Sequence, residues 1–531
     1  MAFSEAIAEA RFALALPAFF RRRITIEEAR LAVRQRLADR EGLFLRMAKR
    51  AIFDHPASPY LWLFERAGIG LPDLETLLKR DGLDATLVFL RSAGVFVSFE
   101  EFKGRRAIIR DGVEFRVTAH SFDNPSAGRY YSGTTGGSSG TPARLAIDLE
   151  NLVDRAPGMM LALGAHGLLD SPTALWRSIL PSIAAISSML RGVIMGNVPE
   201  RWFSPLAPEE VSAPLKYRLA TEYIVGVGRL AGAPLPRPEY VPFDQAIVVA
   251  RWARDAVRRH GRAGVRGHVS ALSRVALAAE AEGVDLSGTV LWGGGEPPTA
   301  SKVAPIIRSG AVYRPTYFLS EAGAIGLPCG NSTDPTDTHA MEDAIALVAD
   351  APWREEPRQM LWLTSLLSST PKVMLNVESD DVVSLDRRRC GCPLEDAGFG
   401  THLLQVQSSR KLTSEGMRLL GIDVLALVEE FLPATFGGSA LHYQIAEEED
   451  EKGRTRVVVI VDPRIDLPGE EEAIRDILRF IGSRGAPALL AAATWSQASS
   501  LSIRRETPRW SGHGKLPALR TRRNPSKEAH A

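Results

Sequence analysis

At 531 residues, 45% of them hydrophobic and 24% charged, the chain is too long for one ordinary domain and able to bury a sizeable core. Its 64 Lys and Arg against 63 Asp and Glu leave a net charge of +1, which argues against a nucleic-acid partner or a charged membrane surface. Only Cys329, Cys390 and Cys392 are present, too few for a disulfide framework and in keeping with a reducing compartment.

The apolar run 12–20 is too short to span a bilayer, and the basic residues Arg21, Arg22 and Arg23 follow it, the reverse of a secretory signal. A cytoplasmic protein without a membrane span is therefore expected. Helical apolar spacing fills 26–40, with shorter helical pieces at 73–79 and 85–90, so the region up to about residue 105 reads as mostly helical. Residues 107–122 are β-rich (Ile108, Ile109, Val113, Phe115, Val117) and run into a glycine-dense stretch, 130–144. Helical patterns return over 152–190 and 243–281, and the apolar run 289–292 reads as a buried strand ending in Gly293-Gly294-Gly295. Strands, helices and glycine turns in alternation indicate an α/β domain.

The texture changes after Ser408. A charged helix signal at 423–431 precedes two strand-like runs, 440–445 and 454–461, joined by an acidic turn at 447–452 and followed by a helix over 470–482. This predicts a large domain over 1–408 and a small α+β domain over 409–531, with a polar end at 520–531 and no internal repeat.

The strongest local signal is Tyr131-Ser132-Gly133-Thr134-Thr135-Gly136-Gly137-Ser138-Ser139-Gly140-Thr141-Pro142-Ala143-Arg144. Glycines let backbone N–H groups approach an anion, and the hydroxyls add donors, so the segment suits a phosphate. It is not a Walker loop, since no Gly-Lys-Ser/Thr follows. A flexible linker has the same composition. Gly136-Gly137-Ser138-Ser139-Gly140 also matches the G-x-S-x-G elbow of hydrolases, which would make Ser138 a nucleophile. That elbow needs a strand before the serine and a helix after it, a poor fit to Pro142 and the glycine-rich lead-in.

Further along, the chain resembles the adenylate-forming superfamily of acyl-CoA synthetases, peptide-synthetase adenylation domains and luciferases. Ser132, Gly133, Thr134, Thr135 and Gly136 resemble its phosphate loop. Gly294-Gly295-Glu296-Pro297 resembles the G-G-E-P turn beside adenine, and Tyr317-Phe318-Leu319-Ser320-Glu321 the Y-G-x-T-E motif. Ser379-Asp380-Asp381 resembles T-G-D, whose aspartate accepts from the ribose diol, and Gly512-His513-Gly514-Lys515 the C-terminal loop bearing the adenylation lysine. Each match is weak alone; all of them in the family's order make a specific signal. Ser58-Pro59-Tyr60, Ala67-Gly68-Ile69 and Cys390-Gly391-Cys392-Pro393 are most similar to the phenylacetate–CoA ligase branch.

The resemblance implies a large adenylation domain, a small mobile lid, and ATP, Mg²⁺ and coenzyme A as cofactors. It assigns Lys515, Glu321 and Ser320 to catalysis, with Glu321 holding magnesium. It assigns Ser132 to Gly136, Gly295, Glu296, Pro297, Tyr317, Asp381 and Arg410 to the nucleotide. Departures are specific. Gly137 to Pro142 offers a second loop register, Ala143-Arg144 replaces the lysine after the proline, and Asp380 replaces the glycine of T-G-D, which leaves two aspartates for the ribose. The hinge is reduced to Ser409-Arg410-Lys411. The implied partner is a small carboxylic acid; a carrier-protein phosphopantetheine or an amine is the alternative acceptor to coenzyme A.

Two other sets draw notice. Cys390 and Cys392 with His402 supply zinc-type donors, but no fourth ligand is evident and C-x-C alone is a poor zinc signature, so a structural His402 and no zinc are expected. Arg504, Arg505, Arg509, Arg520, Arg522 and Arg523 suit either coenzyme A phosphates or a solvated basic tail, the plainer reading.

Overall fold

The computed structural model describes residues 2–127, 130–134, 137–138, 144–207, 215–349, 359–408, 412–414, 417–419, 424, 426–450, 454–484, 486–509 and 519–520. Local signals start the N-terminal helices. Thr25 opens the helix Ile26–Ala38 with a reciprocal cap: its Oγ1 accepts from Glu28 N at 3.2 Å, and its own N–H donates to Glu28 Oε2 at 2.7 Å. The two pieces expected at 73–79 and 85–90 belong to one segment, Leu71–Ser92, broken at Gly82, whose φ of 74° is outside the helical range.

A twelve-stranded sheet organises the α/β body. Its parallel half holds β1 (Thr173–Trp176), β2 (Arg201–Ser204), β3 (Pro238–Tyr240), β4 (Ala263–His268), β5 (Thr289–Gly294) and β6 (Val312–Leu319). They lie in the order β3-β2-β1-β4-β5-β6. Its antiparallel half adds β7 (Gly323–Pro328), β8 (Thr338–Ala340), β9 (Ile345–Ala349), β10 (Gln359–Ser365), β11 (Val377–Arg387) and β12 (Thr401–Ser408). From β6 the order is β7-β8-β12-β11-β10-β9. The sheet thus changes character at β6.

Strands β1 and β4 interrupt the helical patterns expected over 152–190 and 243–281. Helices do flank them, at Leu149–Ala165 and Ala184–Ile194, and at Ala246–His260 and Val269–Ala281. Both strands are buried almost throughout, which removes the polar alternation that would have marked them. The helices around β4 pack with Val265, Val275 and Leu291 in one core, whereas Phe44, Phe64, Leu87 and Val377 form another under the antiparallel half.

The C-terminal region forms a second sheet of β13 (Tyr443–Glu449), β14 (Thr455–Val461), β15 (Leu501–Arg505) and β16 (Leu519–Arg520), ordered β15-β14-β13-β16. The expected strand at 440–445 begins late, because Ala440–His442 is a 3₁₀ turn closed by His442 N donating to Ser439 O at 2.9 Å. The helix expected at 423–431 is a π-helical turn, Ala426–Phe431. The C-terminal region meets the body where Thr299 Oγ1 donates to Glu449 Oε1 at 3.0 Å and Gln497 Nε2, on the helix Ala486–Gln497, donates to Tyr240 OH at 3.1 Å. No described helix is long and apolar enough to cross a membrane.

Candidate functional site

Ligands of sheets containing parallel strands bind beyond the strands' carboxyl ends, and two of the sequence motifs lie there on neighbouring strands. β5 and β6 are paired in parallel with Gly294 opposite Thr316. Gly295-Glu296-Pro297 therefore leaves the end of β5 beside Tyr317, and Ser320-Glu321 leaves the end of β6. Gly295 has φ +86°, and a Cβ there would come within 2.7 Å of His268 Nδ1, so the turn requires glycine.

Glu296 serves the scaffold. It is buried and accepts from Ser270 N at 2.8 Å, Ser270 Oγ at 2.6 Å and Lys302 Nζ at 2.7 Å. Burial pushes its carboxyl up, but Lys302 and Ser270 together hold it below the usual range. The turn is tied to the first residues of helix Val269–Ala281, and its backbone rather than the carboxylate is left for a ligand.

Tyr317 is buried, and its hydroxyl donates to Asp381 Oδ2 at 2.8 Å, joining two motifs 64 residues apart. Asp381 lies on β11; its N–H donates to Ser379 Oγ at 3.1 Å. Asp380 shares that strand, and its side chain lies outside the described residues.

Glu321 is 9% exposed and paired with the ammonium of Lys103, which also lies over the Phe99 ring at 5.4 Å. Burial works against ionisation, yet Lys103, and Lys372 beyond it, hold the carboxyl at about 2. It is thus an anion throughout the physiological range, as a magnesium ligand must be. No sequence signal pointed to Lys103; a lone lysine 218 residues away has no spacing to read.

A cleft opens beside Ser320, bounded by Gly323, Ala324 and Leu327 of β7 and by Asn151, Arg155 and Met159 of helix Leu149–Ala165. Arg155 donates to the carbonyls of Ala324 (3.1 Å) and Ala322, bracing the turn after Glu321. Burial lowers both Arg155 and Arg191, another lining residue, to about 10, so both remain cations. Asp148, on the same wall, is raised to about 6 by burial despite the 2.9 Å bond it accepts from Asn151 N.

The glycine-rich segment runs beside the strand that gives Ile147 and Asp148 to this cleft. Strand Tyr130–Thr134, which contains Ser132, Gly133 and Thr134, pairs antiparallel with Arg144–Asp148, placing Tyr130 opposite Asp148. Gly137–Ser138 pairs with Met417–Leu419, so the segment after Ser408 reaches this loop. The element described after Ser138 is strand Arg144–Asp148, not the helix an elbow requires. Thr135, Gly136, Arg410 and Lys515 lie outside the described residues.

No protein-family model and no curated protein matches the chain. Solved structures do match in outline. One is an o-succinylbenzoate CoA synthetase of Bacillus subtilis bound to a product analogue, 11% identical, covering 76% of this chain and 71% of that one with a TM-score of 0.41. Another is an amide bond synthetase of Marinactinospora thermotolerans, 12% identical, covering 72% and 95% with a TM-score of 0.34. A third is an anthranilate CoA ligase in complex with anthranoyl-AMP, 10% identical, covering 84% and 75% with a TM-score of 0.35. At such identities and TM-scores the likeness carries no functional weight, and the residues must.

The expectation of no fourth ligand beside Cys390 and Cys392 is corrected. Cys329 and His339 converge on them, while His402 turns its Nδ1 to Asp337 Oδ1 at 2.7 Å. Sequence reading missed the pair because His339 is 51 residues from Cys390 and lies on β8, apart from the loop that carries the two cysteines.

Proposed function

We propose that the chain is an AMP-forming ligase of the adenylate-forming type that activates a carboxylic acid with ATP and passes the acyl group to a thiol, in the manner of a phenylacetate–CoA ligase. One observation supports this above the others. The turns after β5 and β6, with Tyr317 bonded to Asp381, bring an adenine-side turn, a ribose-type carboxylate and an ionised Glu321 to neighbouring strand ends, and a cleft opens beside Ser320.

The chemistry follows from charge. A carboxylate must reach the α-phosphorus of ATP, an encounter of two anions, so the site must neutralise charge as it builds. Ser320 Oγ donates to the α-phosphate. Asp381, held by Tyr317 through Oδ2, accepts from the ribose hydroxyls. The fit of Glu321 to magnesium rests on its ionised state and on a single carboxylate sufficing where phosphates supply the other oxygens. Mg²⁺, when bound, supplies charge neutralisation on the phosphates. Lys103 holds Glu321 in place until then and shares the carboxylate afterwards. The acid lies in the cleft past Ser320, with Arg155 and Arg191 in its wall. Lys515 supplies a compact positive charge on the small domain, which then turns about Ser409 to Lys411 and admits the thiol.

Pyrophosphate release measured over a panel of aryl and alkyl acids, with and without coenzyme A, tests the reading. Release that requires an acid, with coenzyme A turned into a thioester, is expected. Release without thioester directs the acyl group to a carrier protein or amine. ATP-independent ester hydrolysis lost in Ser138→Ala would overturn it.

A further inference from the structure

We propose that Cys329, His339, Cys390 and Cys392 form a structural zinc site, separate from the nucleotide site. Their ligand atoms all lie within 4.8 Å of one another. A tetrahedral zinc with bonds of about 2.0–2.3 Å needs ligand atoms roughly 3.3–3.8 Å apart. His339 Nε2 stands 3.1 Å from Cys392 Sγ and 3.5 Å from Cys390 Sγ, close to that spacing without any rearrangement.

Donor type and enclosure point the same way. Three thiols and one imidazole make a soft set of the kind that holds structural zinc, and four protein ligands leave no open position for water or substrate. Cys329, His339 and Cys392 are buried, with at most 1% exposure, and Cys390 is half-buried. His339 Nδ1 has no hydrogen-bond partner among the described residues, so the ring's polar contacts are confined to the sulfur side.

The surroundings hold the ligands in place. Glu395 Oε2 accepts from both Cys390 N and Gly391 N at 2.6 Å, and Asn331 Nδ2 donates to Cys390 O at 3.1 Å. Gly391 has φ +68°, which lets the C-x-C loop turn both sulfurs inward. The His402 ring lies against His339 with centroids 4.1 Å apart, and its partner Asp337 is held by Arg388 at 2.5 Å.

The ligands come from the end of β7, from β8 and from the loop after β11, so a bound ion would staple three strands of the antiparallel half. Cys329 lies beyond the far end of β7 from Glu321, about 20 Å along the strand, too far for a part in adenylation.

The test is metal content of the full-length chain, purified under reducing conditions without added metal. About one zinc per chain is expected. Cys392→Ser and His339→Ala should lose it, with a lower melting temperature. If those variants fail to fold, Cys390→His, which keeps a zinc-type donor, should fold and retain the ion. Cobalt exchanged into the wild-type chain should show the intense visible and near-ultraviolet bands of a tetrahedral thiolate site. His402→Gln should keep its zinc. Wild-type protein that neither carries zinc nor takes up added Zn²⁺ would overturn the proposal, as would full zinc in Cys392→Ser.

Discussion

The two ends of β7 solve opposite problems. At one end, Glu321 keeps a buried negative charge by borrowing the Lys103 ammonium, and an open cleft lies alongside. Such a pair is exchangeable: another cation can take the place of the first, as the proposed binding of magnesium requires. At the other end, Cys329, His339, Cys390 and Cys392 are closed off with every donor turned inward. Their donors are soft and their number complete, so the arrangement fixes geometry and leaves nothing for a substrate. Burial alone therefore does not mark an active site. What separates the two ends is whether the buried group has a replaceable partner and a path to solvent.

The largest effect should come from the cation proposed to visit the open end. Lys515→Ala is expected to lower acyl-AMP formation roughly 10²–10³-fold with ATP affinity little changed. Near wild-type rates would make Lys515 an ordinary surface lysine.

Glu321→Gln should come next. Losing a charged ligand is worth about 1.5–3 kcal/mol, or roughly ten- to a hundredfold in magnesium-dependent rate. Lys103 then faces an amide and the melting temperature falls as well, but zinc content should stay at the wild-type value. Lost zinc in this variant would mean that the two ends are not independent.

A third prediction uses pH. The Glu321 carboxyl titrates at about 2 in the fold, below its ordinary 4.5, so its ionised form stabilises the protein above pH 4.5 and that contribution fades as pH falls toward 2. In Lys103→Met the burial effect is unopposed by its nearest cation and the folded pKa rises. The variant should be less stable than wild type at pH 7, and the gap should narrow on acidification. Urea unfolding at several pH values measures it; a gap independent of pH would show that Lys103 acts by packing alone.

The smallest effect is expected from Tyr317→Phe, which removes one donor from the buried Asp381 carboxylate at a cost of about 1–3 kcal/mol. Stability and ATP affinity should both fall modestly, with the dependence on the acid unchanged.

Much of the open end was legible in the chain. The run from Thr289 to Gly295 announced a buried strand and its turn, and Tyr317 to Glu321 stood out as a motif, because contiguous residues carry both. Strands β1 and β4 were hidden, since burial on both faces erased their alternation and strong helical patterns flanked them. Lys103 and Arg155 were invisible for another reason: each meets its partner only through the fold, across more than 150 residues. The closed end shows the same limit in milder form. Cys390 and Cys392 stood out as a pair, whereas Cys329 and His339 look unremarkable until β7 and β8 bring them together.

Acid-dependent exchange of labelled pyrophosphate into ATP tests the central claim most directly, since it reports reversible acyl-AMP formation and requires no knowledge of the acceptor. The wild-type chain should catalyse exchange with at least one acid of a broad panel, only with magnesium present, and Glu321→Gln should suppress it while retaining its zinc. Exchange absent across the panel in folded, ATP-binding protein, or undiminished in Glu321→Gln, would contradict the account.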